Sequence, residues 1–297
     1  MQRILRFVID EEELVLGQAP YYFDTIEGLS SSLNEINSQS SISADGYIFK
    51  NTKLIARSIA ISGRIRGNTR AEALEYRRKM ISLLNSKRGL GILEVIYSDG
   101  TKYYIEAFCD NGVQITEQNE SVVKGNVFSY SLVFTCPFPY WKQEDIYYTH
   151  LSQVIPRFEF AFEIEADNPD SFIFGDVHFN QPTEIDNKGD CPTGFTCEIS
   201  GQLTDYFSLT KLNTKEYIKI EMDFTNVTKL EINSLQGNKK IFVHYKDGTV
   251  ENGFKYMDFD STFFELNAGI NSVMFSTNAA DVDINVQIKH QNLYVGL

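Results

Sequence analysis

The chain has 297 residues, of which 42% are hydrophobic and 23% are charged, and its formal net charge is −13. This balance is typical of a folded, soluble protein and excludes an intrinsically disordered one. Phe and Tyr, which favour strands, number 22 and 16 against a single Trp, so the composition favours β-structure. The length fits two domains, each able to bury its own core.

The charge is concentrated in one half of the chain. Residues 1–138 carry 15 basic and 16 acidic side chains, a net charge of −1, whereas residues 139–297 carry 12 and 24, a net charge of −12. Such an acidic half disfavours binding to nucleic acid through phosphate neutralisation.

No targeting or membrane segment is predicted. The chain contains no run of about 18 apolar residues, and four acidic residues, Asp10–Glu13, interrupt the start of the chain where a signal peptide would be apolar. We therefore expect synthesis in a reducing cytoplasm and no membrane insertion. In that compartment Cys109, Cys136, Cys191 and Cys197 are expected to be free thiols, with a Cys191–Cys197 bridge as the alternative.

The first part of the chain begins with strand patterns and a polar segment. Short strands are predicted at residues 3–9 and 13–16. Residues 24–51 are rich in Ser, Asn and Asp and predict a long loop or an extended hairpin with the reach of an arm. Alternating side chains over residues 54–65 predict the next strand.

One helix is predicted after this strand. Thr69 is a suitable N-cap, and Glu72 lies at the spacing of a capping box. Lys87 and Arg88 suit the negative end of the helix dipole. The apolar residues at helical spacing form the face that we expect to be buried: Ala73, Leu74, Tyr76, Met80, Ile81, Leu83 and Leu84.

The rest of the first domain is predicted to be strands. Gly91–Tyr97 and Lys102–Phe108 flank an Asp99-Gly100 turn, which is a hairpin signal. Two further strands are expected near residues 113–117 and 126–135. This domain is therefore predicted to be β-sandwich-like, with one α-helix and an extended hairpin arm.

A domain boundary is predicted at Cys136-Pro-Phe-Pro-Tyr-Trp141, because two prolines remove amide donors and the charge changes at the same place. We expect a first domain at 1–138, a linker at 139–150 and a second domain at 151–297. Turn signals separate about ten short strand patterns there, which is typical of a β-sandwich or jelly roll. These patterns are 157–165, 172–179, 183–187, 195–200, 206–211, 216–222, 228–233, 240–245, 263–266, 270–276 and 282–290.

No catalytic or metal-binding pattern emerges from the sequence. The four histidines, His150, His178, His244 and His290, form no metal-ligand spacing with one another or with cysteine. No P-loop, GxGxxG or Gly-x-Ser-x-Gly motif occurs. Acidic pairs are abundant and therefore unspecific; Asp167–Asp170 and Asp281–Asp283 have oxygen ligands for Ca²⁺ but not the spacing of an EF-hand, and solvated loops are the favoured interpretation.

A basic segment surrounds the predicted helix. It could contact an acidic partner surface, or it could be a solvated face, and these two readings have equal support. Contact with nucleic acid is less favoured, because no interleaved aromatic side chains are placed to stack on bases. Its members are Arg57, Arg64, Arg66, Arg70, Arg77, Arg78, Lys79, Lys87 and Arg88.

Several stretches, taken in order, resemble the distal tail proteins of long-tailed, siphovirus-type bacteriophages. The most telling is Phe134-Thr-Cys-Pro-Phe-Pro-Tyr-Trp141, which follows the helix and the Asp99-Gly100 hairpin. In the second half the matching stretches are Ile185–Asp190, Pro192–Phe195, Leu266–Phe275 and Tyr294–Gly296. The resemblance covers nearly the whole chain.

This resemblance implies a structural tail-tip hub that carries no reaction and no cofactor. Such proteins form a hexameric ring through their N-terminal domains, with an arm that clasps the neighbouring copy. The implied partners are the chain itself, the tail tube protein, the tail-associated lysin or fibre, and receptor-binding proteins. The implied location is the virion tail tip, after assembly in the host cytoplasm. Residues 24–51 and the hairpin near 110–125 are the candidate arms.

The resemblance also implies a galectin-like second domain. His178-Phe-Asn180 resembles the start of the sugar-binding strand of galectins, but the arginine is missing and Trp141 lies outside the domain. Sugar binding is therefore not carried over, although a carbohydrate-binding module for attachment to the host cell wall remains the alternative function. A hydrolase of wall polymers has no support beyond the number of acidic residues.

Overall fold

The computed structural model describes residues 3–30, 32–40, 45–116, 126–151, 153–156, 175–178, 181–201, 203–278 and 284–297. The side chains of 153–156 and 175–178 are not described. The chain forms two compact units. Unit 1 comprises Met1–Glu144 together with Leu293–Leu297, and unit 2 comprises Asp145–Asn292.

Most described residues of unit 1 lie in strands, and the single α-helix, α1, covers Arg70–Leu83. The first eleven strands are β1 (Arg3–Ile9), β2 (Glu12–Leu16), β3 (Tyr21–Glu27), β4 (Asn34–Ser40), β5 (Tyr47–Leu54), β6 (Arg57–Arg66), β7 (Gly91–Tyr97), β8 (Lys102–Cys109), β9 (Gln114–Thr116), β10 (Val127–Cys136) and β11 (Trp141–Gln143).

The strands of the second half follow the same chain order. They are β12 (Tyr147–His150), β13 (Gln153–Pro156), β14 (Gly175–His178), β15 (Thr183–Asn187), β16 (Phe195–Gly201), β17 (Tyr206–Lys211), β18 (Glu216–Glu221), β19 (Val227–Asn233), β20 (Lys240–Tyr245), β21 (Val250–Asn252), β22 (Gly269–Thr277), β23 (Ile284–His290) and β24 (Leu293–Tyr294). The last of these belongs to unit 1.

Unit 1 is built on one large antiparallel sheet in the order β2-β1-β7-β8-β10-β6-β3, to which β9, β11 and β24 are joined. Alternate side chains of its strands point into one core, as the period of two in Val127–Thr135 predicts. The helix packs on that same inner face through Ala73, Met80 and Leu83. Among the described residues, the side chains on the outer face of β3, β6 and β10 are exposed or half-buried.

The helix begins as predicted but buries a narrower face. The Thr69 side chain accepts a hydrogen bond from the Glu72 amide at 3.2 Å, and Glu72 in turn accepts one from the Asn68 amide at 2.9 Å. Leu74 and Ile81, which were expected on the buried face, are exposed. They lie at the margin of the apolar stripe, where a single sheet cannot cover them.

Unit 2 is a β-sandwich in which two sheets enclose one core, and β13 and β14 pair in a separate two-stranded sheet. The larger sheet has the order β12-β23-β16-β19-β20-β21, and the smaller has the order β15-β22-β17-β18. Phe195, Phe207, Phe264 and Phe275 fill the space between them. The predicted mainly β fold, with a sandwich in the second half, is therefore confirmed, although nothing in the fold identifies it as galectin-like in detail.

The division of the chain differs from the predicted scheme. Residues 139–150 were expected to be a linker, but Trp141–Gln143 pairs with β8 and β24 in unit 1, and Tyr147–His150 pairs with β23 in unit 2. Trp141 is fully buried, which explains why this segment extends the unit 1 sheet. The last five residues return to unit 1.

Two other predicted strands differ from the strands of the structure. The predicted strand 54–65 is interrupted, since β5 ends at Leu54 and β6 begins at Arg57. No strand forms over residues 263–266, where only an isolated bridge joins Leu266 to Thr193. The predicted strand 157–165, and the 117–125 part of the second candidate arm, lie outside the described residues.

Candidate assembly site: an exposed hairpin and its buried anchor

Strands β4 and β5 form a two-stranded hairpin, the arm, whose strands pair only with each other. All of its described residues are exposed except Leu54, which is half-buried. This is the arm predicted within residues 24–51, although it begins and ends later. Isolated two-stranded hairpins are marginally stable in water, so the arm needs either an anchor or a partner.

A β-bulge gives the arm one apolar face. Asn37 pairs with Asn51, but the next pair along the hairpin is Ser38 with Phe49, so Lys50 has no residue opposite it. Such a one-residue insertion moves every later side chain of that strand to the other face.

The consequence is seen in the cross-strand pairs, which share a face. Ile36, Phe49 and Tyr47 lie on one face, opposite Thr52, Ser38 and Ser40 respectively. Their exposed fractions are 51%, 59% and 64%. The other face carries one apolar side chain, Ile48, together with Glu35, Asn37, Gln39, Asn51 and Lys53.

The root of the arm is tied to unit 1 by a buried arginine. Arg57 is fully buried and donates four hydrogen bonds to backbone carbonyl oxygens. Its Nε bonds Pro139 at 2.9 Å, its Nη1 bonds Gly28 at 2.7 Å and Leu29 at 3.1 Å, and its Nη2 bonds Val295. Charge-assisted hydrogen bonds of this kind offset the cost of burying a cation.

Three chain segments meet at this arginine. Trp141 lies 5.8 Å from the guanidinium carbon and donates its indole N–H to Leu29 at 3.3 Å. Burial lowers the pKa of Arg57, while the neighbouring Cys136 opposes this shift. The arginine thus joins the end of β3, the Pro-rich segment and the C-terminal residues just below the arm.

Close backbone approach is also required at the arm root. Gly28 has a φ of +90°, and a Cβ atom there would lie 2.1 Å from the Ser58 carbonyl oxygen. Only glycine fits this position. The chain can therefore leave β3 and enter the arm while its carbonyl still faces Arg57.

The basic segment predicted around the helix is not a single surface. Arg57 is buried, Arg64 pairs with Asp24 at 2.7 Å, and Arg88 pairs with Asp10 at 3.0 Å and Glu12 at 2.5 Å. Intramolecular partners thus take up three members of the segment. Arg57 therefore lies on neither a solvated face nor a partner surface, while Arg64 and Arg88 form exposed ion pairs within the chain.

The predicted absence of catalytic residues stays a prediction. Within the described ranges, no group of three His, Cys, Asp or Glu residues could hold a metal ion. The four thiols are free and buried, so the Cys191–Cys197 bridge is not formed. Burial raises the pKa of all four thiols, to about 11 for Cys109 and about 12 for Cys136 and Cys191. The Asp167–Asp170 and Asp281–Asp283 candidates lie outside the described residues.

Three of the four histidines have described side chains, and each lies in a strand of unit 2. His150 contacts Gln287 at 3.0 Å and Asn285 at 3.3 Å on the outer face of the six-stranded sheet, and His244 lies 3.9 Å from Glu231. His290 is buried and stacks on Tyr147. Of His178 only the backbone is described. No helix in the described part of the chain is long and apolar enough to span a membrane.

The fold defines a β-rich protein of two units, the first of which carries an exposed, anchored hairpin. Residues 13–128 match the phage tail protein RIFT-related domain, and residues 188–294 match the C-terminal domain of siphovirus-type tail components. The chain belongs to the siphovirus-type tail component family, which confirms the predicted resemblance to distal tail proteins. It is a structural component of a phage tail and hence of the virion.

Solved structures add a comparison of fold. The structure is similar to the crystal structure of the Dit protein of phage SPP1, described as a paradigm of the hub adsorption apparatus in Gram-positive infecting phages. The similarity covers 98% of both chains, with a TM-score of 0.69 and 12% identity, and shows a shared fold.

Weaker similarity is found to a chain of the phage P2 baseplate in its activated conformation with Ca. It covers 97% of this chain and 98% of that chain, with a TM-score of 0.47 and 14% identity. No curated relative matches the chain in sequence.

Proposed function

We propose that this tail component is the hub of the tail tip, where six copies form a ring that connects the tail tube to the host-attachment apparatus. The observation that carries the proposal is the exposed arm with its single apolar face. The hub role described for the SPP1 protein of the same fold supports it.

The arm supports a ring because only one of its two faces offers an apolar surface for contact with a neighbouring copy. In a closed ring each copy uses two different surfaces, one to contact the preceding copy and the other to contact the next. Ile36, Tyr47 and Phe49 expose apolar area that costs free energy in water, at about 25 cal/mol for each Å². Docking on a neighbour removes that cost, and the Arg57 anchor holds the arm root while the neighbour binds.

The distribution of charge supports the same arrangement. The first half of the chain is nearly neutral and can pack against its own copies without strong repulsion. The second half carries a net charge of −12, so its copies repel one another and stay soluble. Unit 1 is accordingly assigned to ring formation.

The partners of the ring follow from this role. One side of the ring binds the tail tube protein, and the other binds the tail-associated lysin or fibre and the receptor-binding proteins. The hub carries no reaction and no cofactor, and it assembles in the host cytoplasm before it becomes part of the virion tail tip.

The mass of the purified full-length chain tests the proposal. Light scattering at several concentrations is expected to give six times 33.9 kDa, or twice that mass if two rings stack. Images of the same sample are expected to show a ring. A monomer at every concentration would contradict the proposal.

A further inference from the structure

The connection between β21 and β22 in unit 2 carries the most exposed large apolar side chain among the described residues. Phe259 is 99% exposed, so its ring packs on nothing in the part of the chain that the structure describes. It lies at the tip of the Phe259 turn, residues 258–261, in which the Ser261 amide donates a hydrogen bond to the Asp258 carbonyl oxygen at 3.1 Å. Turn tips favour Gly, Pro, Asn, Asp and Ser, so neither packing nor turn geometry explains a phenylalanine there.

The Phe259 turn is held against the edge of the smaller sheet of unit 2. Among the described strands, β18 pairs with β17 alone and is the last strand of that sheet. On its other side, the Asp258 amide donates to the Lys219 carbonyl oxygen at 2.9 Å. The Thr262 amide donates to the Tyr217 carbonyl oxygen at 2.8 Å. The segment therefore covers a strand edge that would otherwise be open.

Two side-chain hydrogen bonds hold the same turn in place. The Tyr217 hydroxyl donates to Asp258 Oδ2 at 2.9 Å, and the Lys219 amide donates to Ser261 Oγ at 2.9 Å. Both ends of the turn are thus bonded to β18, while the ring at its tip points into solvent. A protein that covers Phe259 loses little free energy in ordering the turn, because the turn is already ordered.

Acidic groups lie on both sides of the exposed ring. Asp258 precedes it and Asp260, which is exposed, follows it. The nearby Lys219 is already paired with Glu221. The net charge of −12 on residues 139–297 adds to the negative potential at this position. Carboxylates that lose water at an interface are costly without a counter-charge, so the complementary surface carries basic side chains around an apolar pocket.

We propose that Phe259 is a docking residue that inserts into an apolar pocket, rimmed by Lys or Arg, on a different protein of the tail. Aromatic side chains that are buried at the centre of a contact and surrounded by polar groups often carry most of its free energy. A second copy of the acidic unit 2 would bring like charges together at this point. The inference rests on the proposed tail-tip role, because that role supplies the partner, and it involves a surface other than the arm.

Photo-cross-linking in assembled tails tests the contact. Phe259→Cys in the full chain is labelled with a benzophenone maleimide, which restores an aromatic group at the tip of the turn. The four native thiols are buried, so the label goes to the new one. After irradiation, a cross-link to one other tail protein is expected, at a segment that combines apolar residues with Lys or Arg.

Ile270→Cys, labelled in the same way, is the matched control. Ile270 is 63% exposed and lies opposite Asp186 of β15, which is the strand at the other edge of the same sheet. It therefore offers an equally accessible position in unit 2 on the side away from the Phe259 turn. Its label should give little of the cross-link that the Phe259→Cys label gives.

Binding of the purified partner to the full chain measures the size of the effect. Phe259→Ser places a residue favoured in turns at the tip, and the loss of the buried ring should raise the dissociation constant about tenfold or more. Asp260→Asn should raise it by about two- to fivefold at low salt and by less at high salt. Ile270→Ser should leave it unchanged.

The outcomes separate this inference from the proposed function. If the chain has the mass of six copies but the Phe259→Cys and Ile270→Cys labels cross-link equally, the inference is wrong and the ring stands. A cross-link only to a second copy, or binding that neither Phe259→Ser nor salt weakens, would also overturn the inference. A monomer at every concentration that still binds the partner through Phe259 would overturn the ring alone.

Discussion

The arm of unit 1 and the outer face of the six-stranded sheet of unit 2 are both exposed β-surfaces, but their chemistry is opposite. The arm exposes apolar side chains on one face, with no partner for them among the described residues. The unit 2 face carries a row of ion pairs, in which Glu198 contacts Lys289 at 3.5 Å and Lys229 at 3.2 Å, and Lys229 contacts Glu231 at 3.4 Å.

This difference indicates which of the two surfaces is stabilised by contact with another chain. An ion-paired face in water satisfies its own groups, and its pairs contribute little to stability. An exposed apolar face gains free energy only when something covers it. The asymmetry of charge in the sequence, −1 against −12, thus coincides with a difference in chemistry between these two surfaces.

The largest expected effect comes from removing the cation at the arm root. Arg57→Met keeps a long side chain but removes the donor from the carbonyls of Gly28, Pro139 and Val295. The Leu29 carbonyl keeps its hydrogen bond from the Trp141 indole. Buried acceptors without partners are costly, so the free energy of unfolding of unit 1 should fall by about 3 kcal/mol or more. Denaturant unfolding measures the change.

Arg64→Met is the matched control, because it removes an exposed arginine from the strand that Arg57 begins. Its effect should stay within about 1 kcal/mol. Equal effects of the two substitutions would show that Arg57 is no anchor, and the contrast between the two units would then lose its structural basis.

A smaller effect is expected in unit 2 at acid pH. Burial lowers the pKa of His290 below its ordinary value of 6.5, although the nearby Asp186 opposes the shift. The unfolded chain therefore binds the proton more readily than the folded one, so the His290 contribution is complete above about pH 6.5 and declines as the pH falls through that value.

Thermal unfolding between pH 8 and pH 5 measures this dependence. His290→Gln should flatten the pH dependence of unit 2, whatever its effect at pH 8. If the stability of the variant depends on pH as steeply as that of the natural chain, His290 does not contribute to this dependence. The acid sensitivity of unit 2 then comes from its carboxylates.

The smallest effect is expected on the ion-paired face. Burial raises the pKa of Glu198, but the hydrogen bonds and charges of Lys229 and Lys289 outweigh it, so the net shift is downward. Its contribution to stability is therefore present above its ordinary pKa and declines as the pH falls below it. Glu198→Gln should cost no more than about 1 kcal/mol at neutral pH, and less in high salt. A large, salt-independent fall in the free energy of unfolding, measured with denaturant, would contradict the contrast between the arm and the ion-paired face of unit 2.

Local features of the fold could be predicted from the sequence. The Thr69 cap, the Asp99-Gly100 turn and the alternation over Val127–Thr135 each depend on neighbours in the chain, and the structure contains all three. The arm was predicted in outline because a polar segment without a core pattern lay between two strands. The bulge at Lys50 has no sequence signature, so the apolar face of the arm was not foreseen.

The anchor could not be predicted because its contacts are distant in sequence. Arg57 was assigned to a basic surface, whereas it bonds Val295, 238 residues away. The return of the last residues to unit 1 has the same origin, since β24 pairs with β11, from which all of unit 2 separates it in the sequence. Trp141 gave the one available signal, because a lone tryptophan in a supposed linker suggests burial.

The central claim is that the apolar face of the arm holds the copies together, and sedimentation of two matched double variants tests it most directly. The double variant Tyr47→Ser with Phe49→Ser removes the aromatic rings from the apolar face of the arm. The matched double variant Asn37→Ser with Asn51→Ser changes two side chains on the polar face of the same hairpin. Each apolar side chain contributes about 1.5–3 kcal/mol when it is buried, so each loss should raise the dissociation constant about tenfold or more. The account predicts the natural mass for the polar-face variant and a 33.9 kDa monomer for the apolar-face variant. An unchanged multimer in both variants would contradict it.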